Sequence, residues 1–390
     1  MGYLYWVMNA PSNIALRYLQ RHVLALSLLP LGLLFTLTAT LAREFHVREQ
    51  RLVREWFRQG NQDFAAGQTR KALEDFRNAL SYDPENSLVQ QRLAEALLAD
   101  GQLDEARTYF ATLWDRSPGS GEVNLDLAHV SALAGDSTGA VRYFQAAIYG
   151  SWQEDPAEQR RKVLLEEIEF LLANGRVSDS QAQLRALSAD IAPDDVPLHE
   201  KAGQLFLQAE EPGKALEEFE AALRRNPESP QIMEAGKAAF AAGDYNKAEK
   251  YLDQVNSENP SLGIAEMVAT SHAVLEDDPF QPGLSDKAQA SRTWRAFRRG
   301  IERLQQCAAG NAAAPSAPQF FADRQDLLAT AKDLQKRITV ASLIQHPELR
   351  KEAMQFVFRS EAATAESCGA PEVMDRALAL IGTRHEGNKQ

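Results

Sequence analysis

From Val53 onward, apolar and polar positions alternate with a helical period, and the same alternation returns at a fixed interval. Ala72, Ala106 and Ala140 follow one another at a 34-residue spacing, and Phe76, Phe110 and Phe144 keep step four places later. Gly67, Gly101 and Gly135 stand five residues before each alanine, and Pro84 and Pro118 close the first two units. After a short insertion the period resumes in Gly175, Ser180 and Leu184, then in Ala215, Phe219, Ala222 and Pro227, then in Gly243, Ala248, Leu252 and Pro260. Each unit is expected to hold two helices. Glycine supplies the left-handed turn between them, alanine lets the backbones approach, and the residue four places on fills the gap on the same face. Proline then stops the second helix. One such unit cannot bury its own apolar face, so the units must stack.

On either side the pattern changes. Residues 23–42 read VLALSLLPLGLLFTLTATLA without a charge, which matches the roughly 20 residues a helix needs to cross a bilayer. Beyond Pro260, Ile264 to Leu275 has the pattern of one more first helix, followed by the loop DDPFQPGL. Ser285 to Cys307 predicts an amphipathic helix with Trp294, Phe297, Ile301 and Leu304 on one face. Further helices are expected at Phe321–Leu343, Pro347–Ala363 and Pro371–Thr383, with Leu327, Leu334, Ile338, Phe356, Met374 and Leu378 capping the open end of the array. The organisation is therefore a basic head at 1–22, a span at 23–42, repeats at 53–260, a degenerate repeat with a capping helix at 261–309, a linker at 310–320 and a helical region at 321–390.

The repeat pattern resembles the tetratricopeptide repeat family. Its first unit matches through Trp56, Gly60, Ala72, Phe76, Ala79 and Pro84, and its fifth through Ala202, Gly203, Phe206, Ala215, Phe219, Ala222 and Pro227. The fourth departs, with Ser180 and Leu184 in place of alanine and phenylalanine. The resemblance implies an all-α solenoid of about six helix-turn-helix units, and a concave groove, lined by the first helices, that holds peptide or helix segments of other proteins. Aligning the units gives one polar row of Asn61, Glu95, His129, Glu169, Gln204 and Lys237. Three residues on lies a mostly apolar row that includes Phe64, Leu98 and Phe240. Such a pair of rows suits anchors plus orienting contacts; the apolar row equally suits packing against the second helices. Relatives that grip a carboxylate tail use a lysine and an asparagine. Here the matching places hold Phe57, Asn61 and Arg92, and the missing lysine argues against that ligand.

The formal net charge is -12, and the first 42 residues hold Arg17 and Arg21 with no acid, so the body is more acidic still. That disfavours nucleic acid, whose binding rests on clustered lysine and arginine. The two cysteines, Cys307 and Cys368, fit no zinc spacing and are read either as unrelated thiols or as one disulfide formed in an oxidising compartment. The apolar segment is expected to be an uncleaved single-pass anchor rather than a removed signal peptide, because it exceeds the usual length of the latter's apolar core. Arg43, Arg48, Arg51 and Arg54 after it favour a body facing the cytoplasm. The short basic head and the cysteine pair favour an exported body, periplasmic in a bacterium, and that placement is adopted.

Seven scattered histidines give no metal motif, and no cofactor is implied. Asp194-Asp195 and Asp277-Asp278 read as solvated turn residues and helix starts. The expected function is a membrane-anchored scaffold at the cell envelope that binds other proteins, with no enzymatic activity and no small-molecule substrate. The alternative is an enzyme or ligand-binding module within 275–390, where His346, His385 and Glu386 are the only candidates.

Overall fold

The computed structural model describes residues 13–227, 230–258, 261–310, 318–368 and 372–387. Side chains are described from Leu31 onward, except at 258, 308–310, 318–324, 366–367 and 386–387. The chain divides into two compact units, the first ending at Glu167 and the second starting at Ile168. Those described residues are organised as helices throughout, with an isolated bridge between Ser120 and Ser151.

The first unit stacks α1 (Asn13–Ala65) on α2 (Thr69–Tyr82), α3 (Ser87–Ala99) on α4 (Leu103–Arg116), and α5 (Gly121–Leu133) on α6 (Ser137–Ile148). Helix α7 (Pro156–Ala173) carries the chain into the second unit. There α8 (Val177–Ala189) leads to the pairs α9 (Val196–Gln208) with α10 (Pro212–Arg225) and α11 (Gln231–Ala241) with α12 (Tyr245–Glu258).

The pairing follows from two local rules. At the turns, Gly67, Gly101, Gly135, Gly175 and Gly243 have φ between 70° and 79°, the left-handed region where a Cβ is penalised. In the fifth unit Glu210 takes this place with φ 59°. Glu210→Gly is therefore expected to raise stability by about 1 kcal/mol, read by urea unfolding of the full chain; an unchanged or lower midpoint would show the turn unstrained. Within the helices, a glycine forms a socket for the partner helix. A Cβ on Gly60 would lie 2.6 Å from the Phe76 ring, and one on Gly203 would lie 2.7 Å from the Phe219 ring. Both rings are fully buried, each contributing ~1.5–3 kcal/mol by area.

The C-terminal region belongs to the second unit and shares its core. Helix α13 (Leu262–Asp277) packs on α12, and then mainly on the last helix, α18 (Val373–Gly387). Helix α14 (Asp286–Gly310) packs mainly on α17 (Pro347–Cys368), with α15 (Pro318–Arg337) and the short α16 (Val340–Gln345) alongside. Tyr245, Val274, Phe297, Phe356, Leu378 and Ile381 lie in one buried cluster. Cys307 at the end of α14 and Cys368 at the end of α17 are joined by a disulfide, with Cα atoms 5.9 Å apart.

Three expectations are corrected. The single helix expected over Phe321–Leu343 is broken. Thr339 and Ser342 form a reciprocal cap, each side chain bonding the other's backbone N–H, so a new helix starts at Val340. Asp277 and Asp278 are not solvated: both are buried, Asp277 by an ion pair with Arg295 at 2.5 Å and Asp278 by accepting from the Phe280 amide at 2.8 Å.

The third correction concerns the transmembrane helix at 23–42 and the single-pass membrane localisation built on it. Among the described residues no helix is long and apolar enough to cross a membrane. Past Ala42 the same helix runs on unbroken through Arg43, Glu44, Arg48 and Glu49 into the first repeat. Both the exported and the cytoplasm-facing placements fall with the span. The head at 1–12 and the side chains of residues 13–30, Arg17 and Arg21 included, lie outside the described residues, as does the centre of the expected linker at 311–317.

Candidate functional site

In the first unit, the rows read from sequence lie on α1, α3 and α5. Asn61 is half-buried and donates from Nδ2 to the Phe57 carbonyl at 2.9 Å, so part of its amide is spent on its own helix. Glu95 accepts from Arg92 at 2.7 Å. His129 approaches Glu166 of α7 at 2.9 Å and sets its ring edge-on to Phe144. Phe64 and Leu98 are half-buried against the core of this unit, leaving part of each ring or chain accessible.

The second unit holds the rest. Glu169 is exposed and pairs with Lys201 of α9; Gln204 is exposed on the same helix. Lys237 pairs with Glu234 one turn earlier on α11 at 2.9 Å. Phe240 is half-buried, its ring T-stacked on Tyr245 at 5.7 Å between centroids. Each polar row residue except Gln204 thus carries a described partner, and those pairs are largely exposed, a geometry worth ~0–1 kcal/mol to the fold. They can be exchanged for a ligand's charges at low cost.

Sequence alignment by unit missed a carboxylate on α5. Asp126 lies between Glu122 and His129 on α5, and its Oδ2 is buried with no hydrogen-bond partner. Burial, with the nearby charges of Glu95 and Glu122, pushes its carboxyl well above the ordinary range, while Arg92 pulls the other way. The signal was present in the repeat: Arg92 and Asp126 occupy the same place in successive units, one turn before Glu95 and His129.

The residues weighed for catalysis do not form one centre. His346 is engaged by Glu348 at 3.0 Å and is exposed, whereas His385 faces Asp278 at 3.4 Å and stacks on Phe280. The Glu386 side chain lies outside the described residues. His199 is buried against Glu218 at 2.6 Å, and Ser188 donates to the same carboxylate, a polar link between neighbouring repeats. Among the described residues no group of three or more His, Cys, Asp and Glu is placed to hold a metal ion.

Comparison with known proteins locates the repeats. Tetratricopeptide repeat profiles match residues 63–124, 97–149 and 206–266, and a second profile of the same description matches 167–230. No curated protein matches the chain. Among solved structures, similarity is found to YrrB, described as a TPR protein with an unusual peptide-binding site, at 18% identity over 47% of this chain and 90% of that one, with a TM-score of 0.34. PilW, a type IV pilus biogenesis factor, matches at 19% identity over 55% and 97%, with a TM-score of 0.37. The C-terminal part of a TPR repeat-containing protein from Cytophaga hutchinsonii matches at 16% identity over 67% and 97%, with a TM-score of 0.41.

Proposed function

Because the chain carries tetratricopeptide repeats, whose bearers generally mediate protein–protein interaction, we propose that it binds peptide segments of partner proteins on the faces of its first helices. The observation that supports this most is the composition of those faces. Half-buried apolar residues (Phe64, Leu98 and Phe240) stand one turn from exposed or exchangeable polar ones (Asn61, Glu95 and Lys237). Fully packed core would leave the apolar row inaccessible, and a purely solvated face would leave it polar. An intermediate row offers area for a ligand side chain, and its neighbours set the ligand's register.

The test is selection of displayed random peptides on the full chain, followed by measurement on a variant with Asn61, His129 and Lys237 all changed to Ala. Selected peptides are expected to lose about tenfold in affinity, while the melting temperature stays within the ~0–1 kcal/mol that such surface pairs contribute. Unchanged affinity, or a fall in melting temperature that tracks the lost binding, would show that these side chains serve the fold instead.

A further inference from the structure

The seventh first-helix, α13, departs from its predecessors: beyond α12, the helix that packs on it is not the next one in the chain, α14, but chiefly α18, which returns from the C-terminus. Where the two meet beside α11 they leave a cavity of about 430 Å³, inside the range of small-ligand and anchor pockets. Phe240, Met267, Ala379 and Leu380 supply its apolar side chains. Phe240 is the last member of the apolar row, so the cavity continues the proposed binding face. Met267 gives the wall a flexible, polarisable side chain that fits ligands of differing shape.

Two charged residues border this cavity, Glu266 and Arg376. Arg376 is already partnered. Glu266 is exposed, and none of the hydrogen bonds or ion pairs among the described residues involves it. An apolar cavity bordered by an exposed carboxylate that has no described partner is complementary to an apolar group that carries a cation beside it. The net charge of -12 adds a general attraction for such a ligand.

We propose that this cavity is the anchor site of the binding face, and that it takes a bulky apolar side chain of a partner peptide flanked by a lysine or arginine that pairs with Glu266. This rests on the peptide-binding reading above and specifies its partner chemistry. Leu380 and Ala379 belong to the C-terminal helix, so the anchor is completed by a segment outside the repeats.

The chain has six methionines, which makes ¹³C-methyl methionine spectra of the full protein simple enough to assign Met267 by its loss in Met267→Leu. Three capped alanine–glutamine peptides serve as probes: one carrying Phe with an adjacent Lys, one Phe with Glu, and one Ala with Lys. The Phe–Lys peptide is expected to shift the Met267 methyl signal. The Phe–Glu peptide should bind about fivefold more weakly, as befits a rim charge, and the Ala–Lys peptide at least about tenfold more weakly for want of its anchor. Glu266→Lys, an exposed change that spares the fold, should invert the preference between the Phe–Lys and Phe–Glu peptides.

A Met267 signal that no Phe peptide moves overturns the anchor, and equal shifts from the Phe–Lys and Phe–Glu peptides overturn the basic flank. If display-selected peptides are lost on the Asn61, His129 and Lys237 variant yet ignore Glu266→Lys, the binding face stands and the cavity does not serve it. If they ignore both, both readings fall.

Discussion

Replacing Glu361 by Gln is expected to stabilise the second unit at pH 8 by up to about 3 kcal/mol, and to change little at pH 5. Glu361 lies on α17 with 3% of its surface exposed. Asp375 of α18 is fully buried near it and accepts from Nε and Nη2 of Arg299 at 2.7 and 2.8 Å, with Arg303 at 3.7 Å. Glu372 adds a contact to Arg299 at 3.0 Å. Burial, and then the charge of Asp375, raise the Glu361 carboxyl from 4.5 to about 7, against the opposing pull of Arg303 and Arg299.

The sign follows from proton counting. Between pH 4.5 and 7 the folded chain holds a proton at Glu361 that the unfolded chain has released. Stability from this group is therefore greatest at the acid end, falls as pH rises through that window, and stays low above about pH 8. Glutamine cannot ionise, so it removes the loss without disturbing the shape. The measurement is hydrogen exchange of α17 and α18 amides at the two pH values, with denaturant unfolding of the same samples. Slower exchange in the variant at pH 8 alone is the expected result. A variant less stable than the parent at pH 8 would mean that Glu361 works as an anion for Arg303, whose Nη2 has no hydrogen-bond partner among the described residues.

Changing Cys307 and Cys368 together to Ser is expected to cost the second unit about 4 kcal/mol, the chain-entropy value for a loop of this length. The bond closes a loop of 61 residues that contains α15 and α16 and all but the end of α17. Guanidinium unfolding of the parent with and without dithiothreitol should give the same loss as the double variant. Equal midpoints in all three samples would show that the packing of Phe297 on Phe356 and the Arg299–Asp375 pair hold these helices without the bond. Because α18 contributes to the proposed anchor, loosening here is also expected to weaken binding of the Phe–Lys peptide.

The repeat pattern was legible because it is local. A glycine five residues before an alanine, and an aromatic four residues after it, state a turn, a close approach and a plug within one stretch of chain. The structure places them so: Gly67 is left-handed, Ala72 and Phe76 are fully buried, and Gly60 faces the Phe76 ring. The polar and apolar rows came from the same periodicity, since a helix position fixes which face a residue shares. Even the miss at Asp126 was a matter of reading one turn too late on an otherwise correct alignment. The misread acids at 277–278 had a different cause, because their partners, Arg295 and His385, come from helices further along the chain.

Sequence by itself settled the class of element and the period of the stack, because each depends on contacts within one repeat or between adjacent ones. Tertiary structure alone decided the fate of α18. Its return onto α13, the cluster of Arg299, Arg303, Glu361 and Asp375, and the cavity between Phe240 and Leu380 all bring α11, α13 or α14 against helices much further along the chain. No periodicity encodes such pairings. They are selected by which buried charges find partners and which apolar faces remain to be covered once the repeats have stacked.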